Sequence, residues 1–184
     1  MGKLFDSIQD THRAFIEKQK IFFVASAAQT GRVNVSPKGL DTLRVLDEHT
    51  VAYLDLTGSG NETAAHLQQT PRLTLMFCAF EGNPVILRLY GQGTVHRLGT
   101  EAYNALAHRF PVLPGARQII VLHVETVQTS CGFAVPVFQY EEDRPKLIEW
   151  AVNKGEAGLA TYYAEKNTKS IDGFPAEASA APDA

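Results

Sequence analysis

The sequence predicts a mainly β protein with flanking helices, built as an antiparallel sheet or barrel in one domain. Three observations carry that expectation. Six or seven strand-sized runs follow one another through hairpin turns instead of alternating strictly with helices. One short helical stretch lies between strands, and the other helical patterns sit towards the ends. The chain has 184 residues, and about 150 already suffice to bury roughly two-thirds of the unfolded surface.

Taken in order, Leu4, Phe5, Ile8, Phe15 and Ile16 recur near the helical period, which predicts a first helix within 6–19. "KIFFVASAAQTGRVNVSPKG" reads as two strands joined at Gln29–Gly31. "LDTLRVLDEHTVAYLDL" reads as a hairpin turning at Asp47, Glu48 and His49. "GSGNET" then starts a helix, with Ser59 as N-cap and Glu62 three residues on, the pattern of a capping box. "RLTLMFCAF" and "VILRLYGQGTVHRL" are strands around a turn at 81–84. Thr100 caps a helix running through Arg109, which Pro111 helps to end. "RQIIVLHVETVQTS" is a further long strand. Leu147, Trp150 and Ala151 mark one face of a last helix, with Gly155 as its stop. One domain over 1–174 results, followed by a small, polar and disordered tail over 175–184.

Composition excludes several functions. A net charge of −3 without a long basic cluster gives no electrostatic case for nucleic acid. The longest apolar candidate, 21–28, is strand-sized, so no membrane span is expected. The first residues lack a secretory pattern, and Asp6 stands where myristoylation needs Ser or Thr. Two cysteines, Cys78 and Cys131, form neither a disulfide framework nor a metal knuckle. A cytoplasmic setting is the expectation. The six histidines show no pair at i, i+4, so no metal site is expected.

The Gly-rich stretch is the main candidate for binding chemistry. A P-loop needs Lys followed by Ser or Thr, and no Lys lies between Gly58 and Gln69. The dinucleotide fingerprint fails at its third Gly, which is Thr63. A capped helix start can still bind an anion, because other N–H groups stay free. Elsewhere, Arg88 and Tyr90 share the strand face opposite Leu87 and Leu89. A guanidinium there needs water, a carboxylate or a bound anion. Lys38 sits where Pro37 and Gly39 bend the chain, either as a solvated turn lysine or beside a ligand. Cys131 beside Gly132 is either an exposed thiol or a small packing residue.

In this order, the helix, "VNVSPKG", "VAYLDLTGSGNETAAHLQQTPRLTLMF" and "VILRLYGQGTV" resemble the pyridoxamine 5'-phosphate oxidase-like FMN-binding split-barrel family over roughly 10–130. Leu67, Pro71 and the strand at 73–77 match its strand–turn–helix, and Arg88 stands three residues before Gly91 as the family's arginine does. "CGFAVPVF" and "KNTKSIDGFP" look like a bacterial branch without an assigned activity.

The resemblance implies an antiparallel split β-barrel, a homodimer with FMN at the subunit interface, and a flavin-dependent oxidoreductase using a small-molecule electron donor or acceptor. The alternatives are a non-catalytic dimeric flavin-binding protein, serving as sensor or carrier, and a split barrel that binds deazaflavin F420 or haem instead. It places the phosphate at Ser59, Asn61 and Thr63, with Arg88 as charge partner. Ser36, Pro37, Lys38, Gly39, Leu56 and Thr57 would line the flavin, and Cys131, Gly132 and Phe133 would reach the second subunit's flavin. Where the oxidase has Ser-Arg-Lys, this chain has Asn61-Glu62-Thr63, so the loop itself brings no cation. The glutamine that the oxidase presents to its flavin falls on Ile86.

Overall fold

The computed structural model describes residues 2–176. Strand β1 (Lys3–Phe5) is followed by helix α1 (Asp10–Lys18), then by β2 (Phe22–Ala27) and β3 (Val33–Lys38). Next come β4 (Leu43–Val45), β5 (Thr50–Leu56) and α2 (Glu62–Gln69). Strands β6 (Arg72–Cys78) and β7 (Val85–Arg97) precede α3 (Glu101–Ala107), and β8 (Ala116–Cys131) leads to α4 (Lys146–Lys166). The strands form one antiparallel sheet in the order β3-β2-β6-β7-β8-β5-β4, with β1 added on β8. The sheet is a split barrel. Its two edge regions meet where Lys38 of β3 bonds Asp55 of β5 at 2.8 Å.

Periodicity explains which faces turn inward. In β2, Phe22 and Val24 are buried while Phe23 and Ala25 are half-buried, the period-2 pattern of a strand with one core face. Leu73, Leu75 and Phe77 of β6, Leu87 and Leu89 of β7, and Ile120 and Leu122 of β8 complete the barrel interior. β5 is buried on both faces: Val51 and Tyr53 point into the barrel, whereas Ala52, Leu54 and Leu56 pack with Tyr103 and Phe110 beneath α3. Leu147 and Ile148 of α4 close that second layer.

The element pattern departs from the sequence reading in four places. Leu4 and Phe5 form a strand, because Leu4 pairs with Gln128 and Phe5 with Val127; helix α1 starts only after Gln9. The N-cap of α2 is Asn61, not Ser59, and the expected capping box does not form. Asn61 Oδ1 instead accepts from the buried Gln118 amide at 2.8 Å, and Glu62 turns to accept the Ile171 N–H at 2.9 Å. Thr100 does cap α3, accepting the Tyr103 N–H, but that helix stops at Ala107, short of Arg109. Gly155 breaks the last helix, with φ of 64°, yet the chain resumes its helix afterwards and runs to Lys166. A glycine reaches that left-handed conformation without Cβ strain, so it kinks the helix as readily as it ends one.

Of the expected tail over 175–184, the part from 177 lies outside the described residues. Pro175 pairs with Lys169, and Ala176 is buried. Among the described residues, no helix is long and apolar enough to cross a membrane.

Candidate functional site

A cavity of about 660 Å³ opens between β3, the loop leading into α2, and the segment after α4. Its floor follows from strand geometry: Asn34, Ser36 and Lys38 alternate along β3 and so present three polar groups on one face. The loop Gly58–Thr63 and His66 of α2 form one wall, Asp55 and Arg117 another, and Lys166, Lys169, Ser170 and Ile171 the last.

Asp55 is the electrostatic centre of this site. It is 2% exposed, yet it accepts from Lys38 Nζ at 2.8 Å, Arg117 Nε at 2.9 Å and Gln118 Nε2 at 2.8 Å. Burial alone raises its pKa, but the Lys38 and Arg117 charges outweigh that effect and hold the carboxyl below its ordinary value. The same network reaches the α2 loop, since Arg117 donates to Gly60 O at 3.0 Å and Gln118 donates to Asn61. Burial and the Asp55 charge also push the neighbouring Tyr53 hydroxyl pKa up, so that phenol stays neutral.

A C-terminal strap closes the opposite side. Residues 167–176 fold back on themselves through Ser170 N–H to Phe174 O at 2.8 Å and Ala176 N–H to Thr168 O at 2.9 Å. Asn167 anchors its root, accepting from Arg117 at 2.7 Å and donating to Gly58 O at 3.2 Å. Tyr163 OH shares a 2.6 Å hydrogen bond with Thr57 Oγ1 just before it. At its tip, Asp172 accepts the Arg32 backbone N–H at 2.7 Å and pairs with the Arg32 guanidinium. These contacts, the backbone N–H first, hold the Asp172 carboxyl below its ordinary pKa. Asp172→Ala is expected to free the tip, raising the rate of tryptic cleavage at Lys166 and Lys169 severalfold at unchanged melting temperature. Unaltered cleavage would show that the Arg32 contact does not hold the strap.

Buried His66, 1% exposed, is the unusual group in the wall. Its Nδ1 lies 3.0 Å from Ser26 Oγ, which also receives Asn34 Nδ2 at 3.4 Å. Its Nε2 has no hydrogen-bond partner. An orphaned buried polar atom costs about 1–3 kcal/mol, and the Tyr53 hydroxyl is the other such atom among the described residues.

Of the residues expected from sequence, Ser36, Lys38, Ser59, Asn61 and Thr63 line this cavity together. Pro37 faces away from it, because it pairs with Phe23 in the outward-facing row of β2. Gly39 borders a separate small cavity near Lys20. Leu56 packs beneath α3, and Thr57 is turned to Gly115 O and Tyr163. Arg88 does not join Ser59, Asn61 and Thr63 within the chain; it donates to Ser130 Oγ at 3.3 Å on the outer sheet face. Cys131 ends β8, paired with Val85, and Gly132 and Phe133 follow it, all away from the cavity; both Cys131 and Phe133 are exposed.

Sequence reading passed over Arg32, Asn34, Asp55, His66, Arg117 and the strap lysines. Two of these had a visible signal: Asn34 continues the alternation of Ser36 and Lys38, and Asp55 is the single charge in the apolar run "VAYLDL".

Comparison with known proteins gives a consistent picture. The sequence pattern of the pyridoxamine 5'-phosphate oxidase family matches residues 8–131. The pyridoxamine 5'-phosphate oxidase family protein ustO of Aspergillus flavus is 40% identical over 195 aligned positions, covering 95% of this chain and 78% of the relative. Among solved structures, HupZ of Group A Streptococcus superposes with a TM-score of 0.50 at 19% identity, covering 65% of this chain and 91% of that one. A Lactobacillus delbrueckii protein described as a candidate pyridoxamine 5'-phosphate oxidase gives 0.51 at 20% identity, covering 67% and 94%.

Proposed function

The chain belongs to the pyridoxamine 5'-phosphate oxidase family, and from that premise we propose that its cavity takes FMN and that the protein is a flavin-dependent oxidoreductase. The observation that carries this reading is the cavity itself: about 660 Å³, within the span of cofactor sites, and lined by Ser36, Lys38, Ser59, Asn61, Thr63 and Arg117. The donor set fits a flavin nucleotide. Ser36, Ser59, Asn61 and Thr63 offer hydroxyl and amide groups, and Lys38 and Arg117 offer positive charge. The flavin supplies the hydride chemistry, while the chain binds, orients and shields it. Lys38, fixed by Asp55, is the polar group we assign to the reactive ring.

A second copy of the chain completes the proposal. Pairing register places Pro37, Phe23, Met76, Arg88 and Gln128 side by side across the sheet, on the face opposite Leu87 and Leu89. On the same face Val33 is 69% and Val35 60% exposed, an apolar surface suited to a homodimer. Arg88 would then serve the partner's ligand rather than its own. The cytoplasm fits the free thiols of Cys78 and Cys131.

The visible absorption spectrum of the purified protein, with mass identification of any released ligand, tests the reading. We expect flavin bands, or their appearance on adding FMN. A colourless protein that takes up no FMN overturns it, and released F420 or haem replaces the cofactor. Steady-state reduction by NADH or NADPH with a range of acceptors then separates an enzyme from a carrier.

A further inference from the structure

The cavity's charges sort themselves by partner. Five cationic side chains line it, but Lys38 and Arg117 are both bonded to Asp55, and Arg32 is paired with Asp172. Glu62, the other carboxylate on the lining, is turned to the Ile171 N–H. Lys166 and Lys169 remain, and among the described residues neither makes an ion pair. Both belong to the end of α4 and the strap, about a hundred residues from the loop that leads into α2.

From these observations we infer that the strap, through Lys166 and Lys169, grips the phosphate of the bound ligand in place of the cations that the α2 loop lacks. The inference rests on the flavin reading and deepens it. A phosphate monoester carries nearly two negative charges near neutral pH, which two lysines match. It also ties ligand binding to strap docking, because the strap that brings the lysines is held at its tip by Arg32 and Glu62.

The test compares FMN with riboflavin, which differ only in the phosphate, by flavin fluorescence quenching on the full chain. The parent should prefer FMN, and 0.5 M NaCl should reduce that preference. Lys166→Gln with Lys169→Gln should lower FMN affinity about tenfold to a hundredfold while leaving riboflavin affinity unchanged, since charge-assisted contacts are lost. Arg at both positions should restore the preference, and Lys18→Gln on the exposed end of α1 should not alter it. If the parent prefers FMN and the double Gln variant keeps that preference, or loses both flavins equally, the strap assignment is wrong while the flavin reading stands. A parent that binds neither flavin overturns the flavin reading, and this inference with it.

Discussion

Asp55→Asn is expected to destabilise the protein by about 3–5 kcal/mol, the usual cost of breaking a buried ion pair from one side. Asparagine keeps the shape but not the charge. Arg117, with its side chain 9% exposed, is then left as a buried guanidinium whose remaining acceptors are Gly60 O and Asn167 Oδ1. Lys38, at 22%, can turn partly to solvent and contributes less. For a chain of this size each kcal/mol moves the melting temperature by about 2–4 °C, so a drop on the order of 10 °C follows. If the uncompensated cation is the cause, Asp55→Asn combined with Arg117→Met should recover part of the loss. A double variant no better than the single one would place the cost elsewhere.

The same carboxylate sets an acid limit. Its folded pKa lies below the ordinary value, so the proton binds more tightly to the unfolded chain. The triad's contribution is therefore complete above the unfolded carboxylate pKa of about 3.9 and fades as pH falls through the lower folded value. Urea midpoints measured from pH 6 down to 3 should show the parent losing stability more steeply than Asp55→Asn. Parallel profiles would contradict the role assigned to Lys38 and Arg117.

How far the sequence alone could see is clearest from Arg88 and Asp55. Parity along "VILRLYG" correctly set Arg88 opposite Leu87 and Leu89, but the cavity opens on the side of the sheet that Leu87 and Leu89 face. The strand was legible; the side of the sheet on which the site sits was not. Asp55 stood out as one charge among apolar neighbours, yet its partners Lys38 and Arg117 lie 17 and 62 residues away in sequence. Only closure of the sheet brings them together, and periodicity carries no information about closure. The strap was harder still. "KNTKSIDGFP" has no helical or strand period, and the strap's place is set by scattered contacts to Arg32, Gly58, Glu62, Arg97 and Arg117. Ser36, Lys38, Ser59, Asn61 and Thr63 were accessible because local order, a strand end and a strand–turn–helix, determines where they sit.

Gly91→Ala should be nearly as damaging as the loss of Asp55, for a purely steric reason. Tyr90 pairs with Thr126 and Gly91 with Val124, so Glu125 is the extra residue of a β-bulge. At that bulge a Cβ on Gly91 would overlap the carbonyl oxygen of His123 and crowd the Glu125 nitrogen. Both are main-chain atoms within the longest strand pair, and neither can swing aside as a side-chain tip would. Overpacking of this kind costs about 1–3 kcal/mol, and the upper end applies where backbone must move. The bulge has a structural purpose. It bends β7 and β8 so that the first half of β8 pairs with β5 and its last residues pair with β1. Flattening it would shift Arg117 and Gln118 relative to Asp55, so ligand affinity should fall along with stability. Gly158→Ala provides the contrast within one set of melting curves. Gly158 lies in α4 with ordinary contacts at 3.5 Å, and alanine there should be neutral or stabilising by up to about 1 kcal/mol. Equal melting temperatures for Gly91→Ala and the parent would mean that the bulge relaxes without cost and does not set the register of the two strands.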